Sequence, residues 1–240
     1  MKKFWIYVLV VGFLCIFSAS AFAQLEVTIN PSKAQREVGG KVWVDIFISG
    51  VTEPLLSYGI KVNFNPSVLQ VVAAEKNTDI WKFEDNGFTS TKPDVVIDNG
   101  AGEVMMIGGR LKPGVTGDNI LLGHIVFEGT NLGVSSITVG LAKPDPYENF
   151  VDENEVLHDD EITFPTGLIC IVEDACEGDI NGDGYINNID MLYLRRALPS
   201  SHGDSRYNAA ADLNGDGYIN NIDALILRRE LPRVDCPNCP

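Results

Sequence analysis

Histidine is scarce in this 240-residue chain, and the shortage limits the chemistry that the chain can perform. Its three histidines are His124, His158 and His202, and no His-Glu-x-x-His, Gly-x-Ser-x-Gly or phosphate-loop motif occurs. Carboxylates are plentiful, but no signature pairs two of them in the way that glycosidases require. The sequence therefore predicts a protein that is not an enzyme.

Positive charge is also in short supply. The chain has 18 lysines and arginines against 33 aspartates and glutamates, which gives a formal net charge of −15. Such an excess of negative charge argues against nucleic acid and anionic membranes as partners and suits a secreted, calcium-rich setting. The densest acidic run, 152–161, is predicted to be a solvated loop, with an additional metal site as the alternative.

Long hydrophobic runs are missing except at the N-terminus. Lys2 and Lys3 precede the apolar run Phe4–Phe17, and an Ala-x-Ala site ends at Ala23. This pattern is typical of a secretory signal peptide over residues 1–23, and the run is short for an uncleaved membrane anchor. Cleavage would remove two lysines and no acid, which moves the net charge from −15 to −17. We expect a secreted or cell-surface protein that starts at Gln24 and has no membrane insertion.

What the chain does have is a repeat. Residues 179–198 and 212–231 are identical at 16 of 20 aligned positions, and each copy opens with Asp-x-Asn-x-Asp-Gly-x-Ile-Asn-x-x-Asp. That spacing is typical of a calcium loop, in which oxygen ligands at positions 1, 3, 5, 7, 9 and 12 surround the ion and a glycine occupies position 6. The alternative is an acidic turn without a metal, which explains a single copy of the motif better than two copies at equivalent positions of a repeat.

The predicted ligands are equivalent in the two copies, and position 7 contributes its backbone carbonyl. They are Asp179, Asn181, Asp183, Tyr185, Asn187 and Asp190 in the first loop, and Asp212, Asn214, Asp216, Tyr218, Asn220 and Asp223 in the second. Three carboxylates in each loop would repel one another without a cation. We therefore predict two bound Ca²⁺ ions and a module that folds poorly without them, because its core is small.

Each loop is predicted to lead into one short helix. The helices run from about Asn188 to Leu198 and from about Asn221 to Leu231, and each ends at a proline. The first loop follows Cys176-Glu177-Gly178, where no apolar period predicts an incoming helix. The repeated unit is therefore a loop followed by a helix, unlike an ordinary EF-hand.

This repeat resembles a type I dockerin, the calcium-dependent docking module of cellulosome-type assemblies. The resemblance implies a cohesin-bearing scaffold as partner, contacted by loop positions 10 and 11 and helix positions 17 and 18. These are Asn188, Ile189, Arg195 and Arg196 in the first copy, and Asn221, Ile222, Arg228 and Arg229 in the second. The alternative is that these arginines only stabilise the C-terminus of each helix through its dipole and do not contact a partner. Two equivalent faces would let the module bind one partner in two orientations.

Four cysteines remain after the signal peptide, two on each side of the repeat. In an oxidising compartment, Cys170, Cys176, Cys236 and Cys239 would form disulfides that hold the ends of the module together. The sequence does not decide among the three possible connectivities. A four-cysteine zinc site is the alternative.

The larger part of the chain is predicted to be a β-sandwich. Alternating apolar residues within Lys41–Ile48, Ile60–Phe64, Glu103–Ile107, Ile120–Phe127 and Ser136–Val139 are separated by Gly- and Pro-rich turns. Many short strands at this spacing favour two packed sheets. Trp43 is expected in the core. We therefore expect a mainly β chain divided into a signal peptide (1–23), a sandwich (24–171), a linker (172–178), a small α module (179–232) and a tail (233–240).

The sandwich resembles a cohesin domain, the receptor for dockerins, in the segments Tyr58–Leu69, Gly123–Phe127 and Gly133–Ile137. The resemblance implies a nine-stranded jelly roll that binds dockerin-bearing proteins through one flat sheet face. A carbohydrate-binding or adhesive sandwich is the alternative, in which Trp43, Trp81 and Tyr58 would stack on sugar rings if they were exposed.

Together these resemblances predict a non-catalytic adaptor in polysaccharide-degrading or surface complexes. The seven-residue linker spans roughly 25 Å at full stretch. We expect that length to keep the module off the far face of its own sandwich. Molecules would then associate head to tail if the two binding specificities match, and would connect different partners if they do not.

Overall fold

The structure is a computed structural model that describes residues 24–82, 94–142, 149–181, 184–204 and 206–233. The predicted signal peptide, Asp183, Cys236 and Cys239 lie outside these residues. Within them, no helix combines the length and apolar character that crossing a bilayer requires.

Two packed sheets form the larger domain, and their strands are short and separated by turns. In chain order the strands of the described residues are β1 Leu25–Asn30, β2 Lys33–Arg36, β3 Lys41–Ser49, β4 Val51–Asn63, β5 Leu69–Lys76, β6 Val95–Asp98, β7 Glu103–Gly109, β8 Val115–Gly117, β9 Ile120–Gly129, β10 Gly133–Leu141, β11 Val151–Asp152, β12 Ile162–Thr163 and β13 Thr166–Ile171.

The five-stranded sheet has the order β12-β1-β3-β9-β5. The eight-stranded sheet has the order β2-β13-β10-β4-β7-β6, and β8 and β11 pair with β4 outside this path. Adjacent long strands are antiparallel, as in β3 with β9 and β4 with β7. The chain passes from the five-stranded sheet to the eight-stranded sheet between β1 and β2, and β2 pairs with β13. The two sheets therefore meet at the edge where β13 ends.

Side chains that alternate along each strand fill the space between the sheets. The predicted inward face of β3, formed by Val42, Val44, Ile46 and Ile48, is at most 2% exposed. Burying these side chains contributes about 1.5–3 kcal/mol each relative to leaving them exposed. The predicted mainly β fold with a small α module is confirmed. The strands outnumber the expected nine because edge segments of two to four residues also pair.

The repeat folds into two helices as predicted, α1 Asn188–Ala197 and α2 Asn221–Glu230. Each begins with a capping box. The side chain of Asn187 or Asn220 caps the helix, and Asp190 or Asp223 at its third position accepts the backbone N–H of the cap. The helices pack around an apolar core that includes Ile186, Leu194, Ile219 and Leu227. A short antiparallel pair, β14 Ser200–Ser201 with β15 Tyr218–Ile219, joins the two copies.

The module lies against the outer face of the five-stranded sheet, which differs from the expectation for so short a linker. The linker leaves β13 at the edge where β2 pairs with β13. There the N–H of Cys176 donates to Gln35 Oε1 at 3.0 Å and the N–H of Val172 donates to the carbonyl of Arg36 at 3.0 Å. Because β1, β2 and β3 follow one another around this edge, the outer face of the five-stranded sheet is within reach of seven residues.

Candidate functional site

The first calcium loop curls around a set of carboxylate and amide oxygens. Asp190 Oδ1 accepts the N–H groups of Ile180 (2.9 Å) and Asn181 (3.3 Å), and Asp190 Oδ2 accepts that of Asn187 (2.8 Å). Asp179 Oδ2 accepts the N–H of Gly184 at 2.9 Å. These bonds pull loop positions 1, 2, 3, 6, 9 and 12 around one centre, as ligation of a single ion requires.

The second loop repeats the arrangement. Asp223 Oδ1 accepts the N–H groups of Leu213 (2.9 Å) and Asn214 (3.4 Å), and Asp223 Oδ2 accepts that of Asn220 (2.8 Å). Asp212 Oδ2 accepts the N–H of Gly217 at 2.8 Å. The two loops therefore share their internal hydrogen bonds, as their nearly identical sequences predict.

The glycine at position 6 has the backbone conformation that the calcium loop needs. Gly184 and Gly217 have φ angles of +86° and +84°, in the left-handed region that side chains rarely adopt. Among the described residues other than its chain neighbours, no atom lies within 4 Å of a Cβ built on Gly184, whereas a Cβ on Gly217 would lie 3.0 Å from the Trp43 ring. The first glycine is thus required for its conformation, and the second for its conformation and for the close approach of Trp43.

The electrostatics of the second loop fit a cation. Burial raises the pKa of Asp212, and the charges of Asp223 and Asp216 raise it further, against hydrogen bonds from Tyr207 and Gly217 that lower it. Asp212 is 1% exposed and Asp223 is fully buried. A divalent cation among these oxygens would offset the repulsion. The donor set of both loops, carboxylates with amide and carbonyl oxygens, therefore fits Ca²⁺.

Tyr207 supports the second loop in a way that the repeat does not predict. Its hydroxyl donates to Asp212 Oδ2 at 2.8 Å, and burial together with Asp212 raises the pKa of Tyr207 far above its usual value. The phenol therefore stays protonated and remains a donor. The equivalent position one repeat earlier is Asp174, so the first copy has no tyrosine at this position.

All eight residues of the predicted partner-binding faces are exposed, although the module packs against the sandwich. Ile189 and Ile222, at equivalent positions, are 49% and 52% exposed. Next to them Leu192, Tyr193 and Leu225 are also 39–51% exposed, and Arg196 lies over the Tyr193 ring at 5.8 Å. The calcium motif does not single out these three apolar residues. Leu192 and Leu225 each follow an Ile by three residues and Tyr193 follows Ile189 by four, the two spacings that share a helix face.

The contact between module and sandwich is made by the loop side of the module. Buried Arg36 donates from Nη2 to the carbonyls of Asp212 (3.1 Å) and Ala209 (3.4 Å). Asn30 Nδ2 donates to the carbonyl of Tyr207 at 3.1 Å. Because these partners lie before or within the second calcium loop, the sandwich contacts the second copy and leaves both helix faces exposed.

The tryptophans correct two expectations. Trp43 is not in the sandwich core, because it lies on the outward face of β3, where it packs against the module and donates from Nε1 to the carbonyl of Gly215 at 3.0 Å. Trp81 and Tyr58 are fully buried, and their hydrogen bonds go to the carbonyls of Leu121 (3.1 Å) and Leu122 (2.7 Å). None of the three can stack on a sugar ring in this arrangement.

The acidic run 152–161 is only partly the predicted solvated loop. Asp152 is 2% exposed, and its Oδ1 accepts the N–H groups of Asn154 (2.7 Å) and Val156 (2.9 Å). Asp152 Oδ2 contacts His158 Nε2 at 3.2 Å, and Glu161 Oε2 contacts His158 Nδ1 at 3.1 Å. Asp159 accepts the N–H of Phe150 at 3.0 Å, and Glu153 accepts that of Gly114. Three carboxylates of the run are therefore structural acceptors, and the other three, Glu155, Asp160 and Glu161, are exposed.

The comparisons agree with this description of the module. Residues 177–232 match the family model of the Dockerin type I domain, which confirms the resemblance for that segment and supports calcium binding. The match covers less than a quarter of the chain. The comparison with curated proteins finds no match.

Solved structures similar to the chain include three from different organisms. CaCohA2 from Clostridium acetobutylicum is 20% identical, with a TM-score of 0.46, 63% of this chain covered and 93% of that one. A type III cohesin module from a cell-surface anchoring scaffoldin of Ruminococcus flavefaciens is 14% identical (TM-score 0.47, 64% and 90% covered). A non-cellulosomal cohesin from the hyperthermophilic archaeon Archaeoglobus fulgidus is 15% identical (TM-score 0.45, 62% and 92% covered).

Proposed function

We propose that this chain is a secreted, non-catalytic adaptor of cellulosome type, with one docking surface on its module and another on its sandwich. The observation that carries the proposal is the exposure of both copies of the predicted partner face, although the module contacts its own sandwich. Within the part of the chain that the structure describes, the surface that a partner would need stays exposed. Such a protein makes and breaks no bond, and it raises the local concentration of the proteins that it joins.

On the module, each loop would bind one Ca²⁺ ion, which makes two ions in all. The partner would be a cohesin-bearing scaffold that contacts Asn-Ile at the start of a helix and Arg-Arg near its end. Similar exposure of Ile189 and Ile222 supports two equivalent binding orientations.

On the sandwich, dockerin-bearing proteins would bind, and polysaccharide-degrading enzymes are the expected class. The segments Tyr58–Leu69, Gly123–Phe127 and Gly133–Ile137 support this role by their resemblance to cohesins. Since the module occupies the outer face of the five-stranded sheet, we assign the receptor face to the outer side of β10, β4 and β7. Val134 and Ser136 are exposed there, and Lys61 forms an ion pair with Glu103 at 3.1 Å. Head-to-tail self-association follows only if this face accepts the chain's own module.

Three further features belong to the same proposal: the division into domains at residues 24, 172, 179 and 233, the signal peptide over residues 1–23, and disulfides at the ends of the module. Support for the disulfides comes from Cys170 and Cys176, which are both buried. Cys236 and Cys239 lie outside the described residues, so that the pairing stays a prediction.

The test measures binding of the untagged chain to purified cohesin modules by isothermal titration calorimetry in calcium. Two matched triple variants replace Ile189, Arg195 and Arg196, or Ile222, Arg228 and Arg229, by alanine. Each alone should change the dissociation constant by only a few-fold, and the two combined should weaken binding on the order of 100-fold or more, as loss of several central contacts does.

Three results would contradict parts of the proposal. Loss of binding by one triple variant alone would overturn the two-orientation hypothesis. Absence of binding by the unaltered chain across type I, II and III cohesins would overturn docking by the module. Dockerin modules added to the same chain test the sandwich separately, and a flat titration with all of them would overturn its receptor role.

A further inference from the structure

Three metal-ligating side chains meet where the module contacts the sandwich, away from both calcium loops. Asp45 in β3 and His124 in β9 are register partners in the antiparallel pair, and both project to the outer face of the five-stranded sheet. His202 comes from the module, just after β14. One ligand atom from each of the three lies within 4.8 Å of the other two.

The cluster is buried from both sides. Asp45 is fully buried, and His124 is 7% exposed. The Trp43 ring stacks on the His202 ring, with centroids 4.6 Å apart and planes at 16°, and covers the cluster. The His124 and His202 rings approach to 4.3 Å between centroids. His202 is half-buried, so two of the three polar side chains are buried and the third lies at the margin of the contact.

Two buried ligand atoms at this site have no hydrogen-bond partner among the described residues. They are Asp45 Oδ1 and His202 Nδ1. An unpaired buried polar atom costs roughly 1–3 kcal/mol, so native proteins usually satisfy such atoms or coordinate a metal with them. The other carboxylate oxygen, Asp45 Oδ2, accepts the N–H of Gly203 at 3.1 Å, which fixes the orientation of the carboxylate.

The protonation state of His124 favours metal binding over a second proton. Burial raises the pKa of Asp45, against the N–H of Gly203 and the charge of His202, which lower it. Burial, and then the neighbouring His202, lowers the pKa of His124 to about 4, so that this imidazole is neutral at neutral pH. A neutral imidazole has a free nitrogen lone pair, which a metal ion needs.

We propose that Asp45, His124 and His202 bind one Zn²⁺ ion that joins the module to the sandwich. Two imidazole nitrogens and one carboxylate oxygen are a zinc donor set, and a water molecule would complete the tetrahedron. Calcium prefers six or more oxygens and would not compete well here. Tetrahedral zinc ligands lie roughly 3.3 Å apart. Because the donor atoms lie within 4.8 Å of one another, they would approach by at most about 1.5 Å on binding zinc.

The test is a Zn²⁺ titration of the untagged chain from Gln24 onward, in saturating calcium so that both loops are already occupied. We expect one Zn²⁺ ion per chain. His202→Gln, His124→Gln and Asp45→Asn should each weaken binding on the order of 100-fold or more, since even a residue behind a ligand accounts for 10–100-fold. His158→Gln is the matched control, because His158 contacts Asp152 and Glu161 instead, and its affinity should equal that of the unaltered chain.

Cobalt provides a second readout. Co²⁺ in a tetrahedral site with two imidazoles gives a visible absorption band, which should be present in the unaltered chain and in His158→Gln and absent in Asp45→Asn. Asp45→Asn retains an acceptor oxygen for the N–H of Gly203, so it tests ligation with the least disturbance of folding. Circular dichroism and calcium titration identify variants that fold like the unaltered chain, and the comparison uses those variants.

Three outcomes would overturn the proposal: no zinc uptake by the unaltered chain, equal zinc affinity in all three ligand variants, or zinc uptake that disappears only when cysteines are replaced. The last outcome would assign zinc to the cysteines at the ends of the module.

Discussion

The two calcium repeats are nearly the same in sequence and differ in their surroundings. Both fold into the same hydrogen-bonded loop and a ten-residue capped helix. The first loop has open space around Gly184, whereas the second lies against Trp43, Lys41 and the support residue Tyr207. Local geometry thus follows from the repeated sequence, and the environment of each copy follows from residues outside it. The module is symmetric in its exposed helix faces and asymmetric in its contact with the sandwich.

The largest effect should come from removing calcium, which affects both loops equally. Saturation at about 1,000 times the dissociation constant stabilises a folded module by about 4 kcal/mol for each site. In a chelator we expect loss of the helical signal of α1 and α2 in circular dichroism, while the sandwich keeps a separate thermal transition. Unchanged helix content after chelation would contradict calcium-dependent folding, and magnesium at the same ionic strength is the control.

Replacing the aspartate at position 1 of each loop should reveal the difference between the two copies. Asp212→Ala should destabilise the module more than Asp179→Ala, because Asp212 is buried and also accepts from the hydroxyl of Tyr207. Each variant removes the acceptor of one glycine N–H. The buried hydroxyl loses its partner in Asp212→Ala, so we expect a difference in unfolding free energy of about 1–3 kcal/mol. Calcium-dependent thermal unfolding measures it, and Tyr207→Phe, expected to cost about 1 kcal/mol, separates the contribution of the hydroxyl.

Equal losses in the two aspartate variants would show that the burial of Asp212 and its hydrogen bond from Tyr207 do not add to the stability of the second loop.

The contact of Trp43 with the second loop also distinguishes the two loops, and removing it should have a smaller effect than replacing a calcium ligand. Trp43→Ala should lower the calcium affinity of the second loop by roughly 10-fold and leave the first unchanged, because it removes the hydrogen bond to Gly215 and the packing against Gly217, worth about 1–2 kcal/mol. Terbium luminescence excited through Trp43 reports the second loop selectively in the unaltered chain. For the variants, calorimetry with Asp179→Ala in the background isolates that loop.

Trp43→Phe keeps the packing and loses the hydrogen bond. The calcium affinity of its second loop should lie between that of the unaltered chain and that of Trp43→Ala. A change in the first loop of the same size as in the second would contradict this assignment.

Much of the module could be predicted from sequence because its determinants are local. Spacing of Asp, Asn and Gly fixes a calcium loop, and the same Asn and Asp residues cap the helices that follow. The alternation along β3 likewise predicted the four residues that face the core, but it did not predict the burial of Asp45 on the outward face. The contact between domains could not be predicted, because Trp43, Arg36 and His202 are separated by up to 166 positions, and nothing in their local patterns indicates a common surface. Trp43 alternates with Val42 and Val44, so the pattern alone gives it an outward position without saying what covers it.

The smallest effect should come from the titration of His158, which is outside both calcium loops. This effect serves as a reference for the changes in the loops. Burial lowers the pKa of His158, but hydrogen bonds and charges of Glu161 and Asp152 outweigh burial and raise the pKa overall. A raised folded-state pKa means that this histidine stabilises the sandwich fully below its unfolded pKa of about 6.5, and that the stabilisation is lost as pH rises through the folded pKa. We expect at most about 1 kcal/mol, because Glu161 is mostly exposed and screened by solvent. Thermal unfolding of the sandwich between pH 6 and 8 should show this decline in the unaltered chain and not in His158→Gln. The same decline in the variant would show that another group titrates.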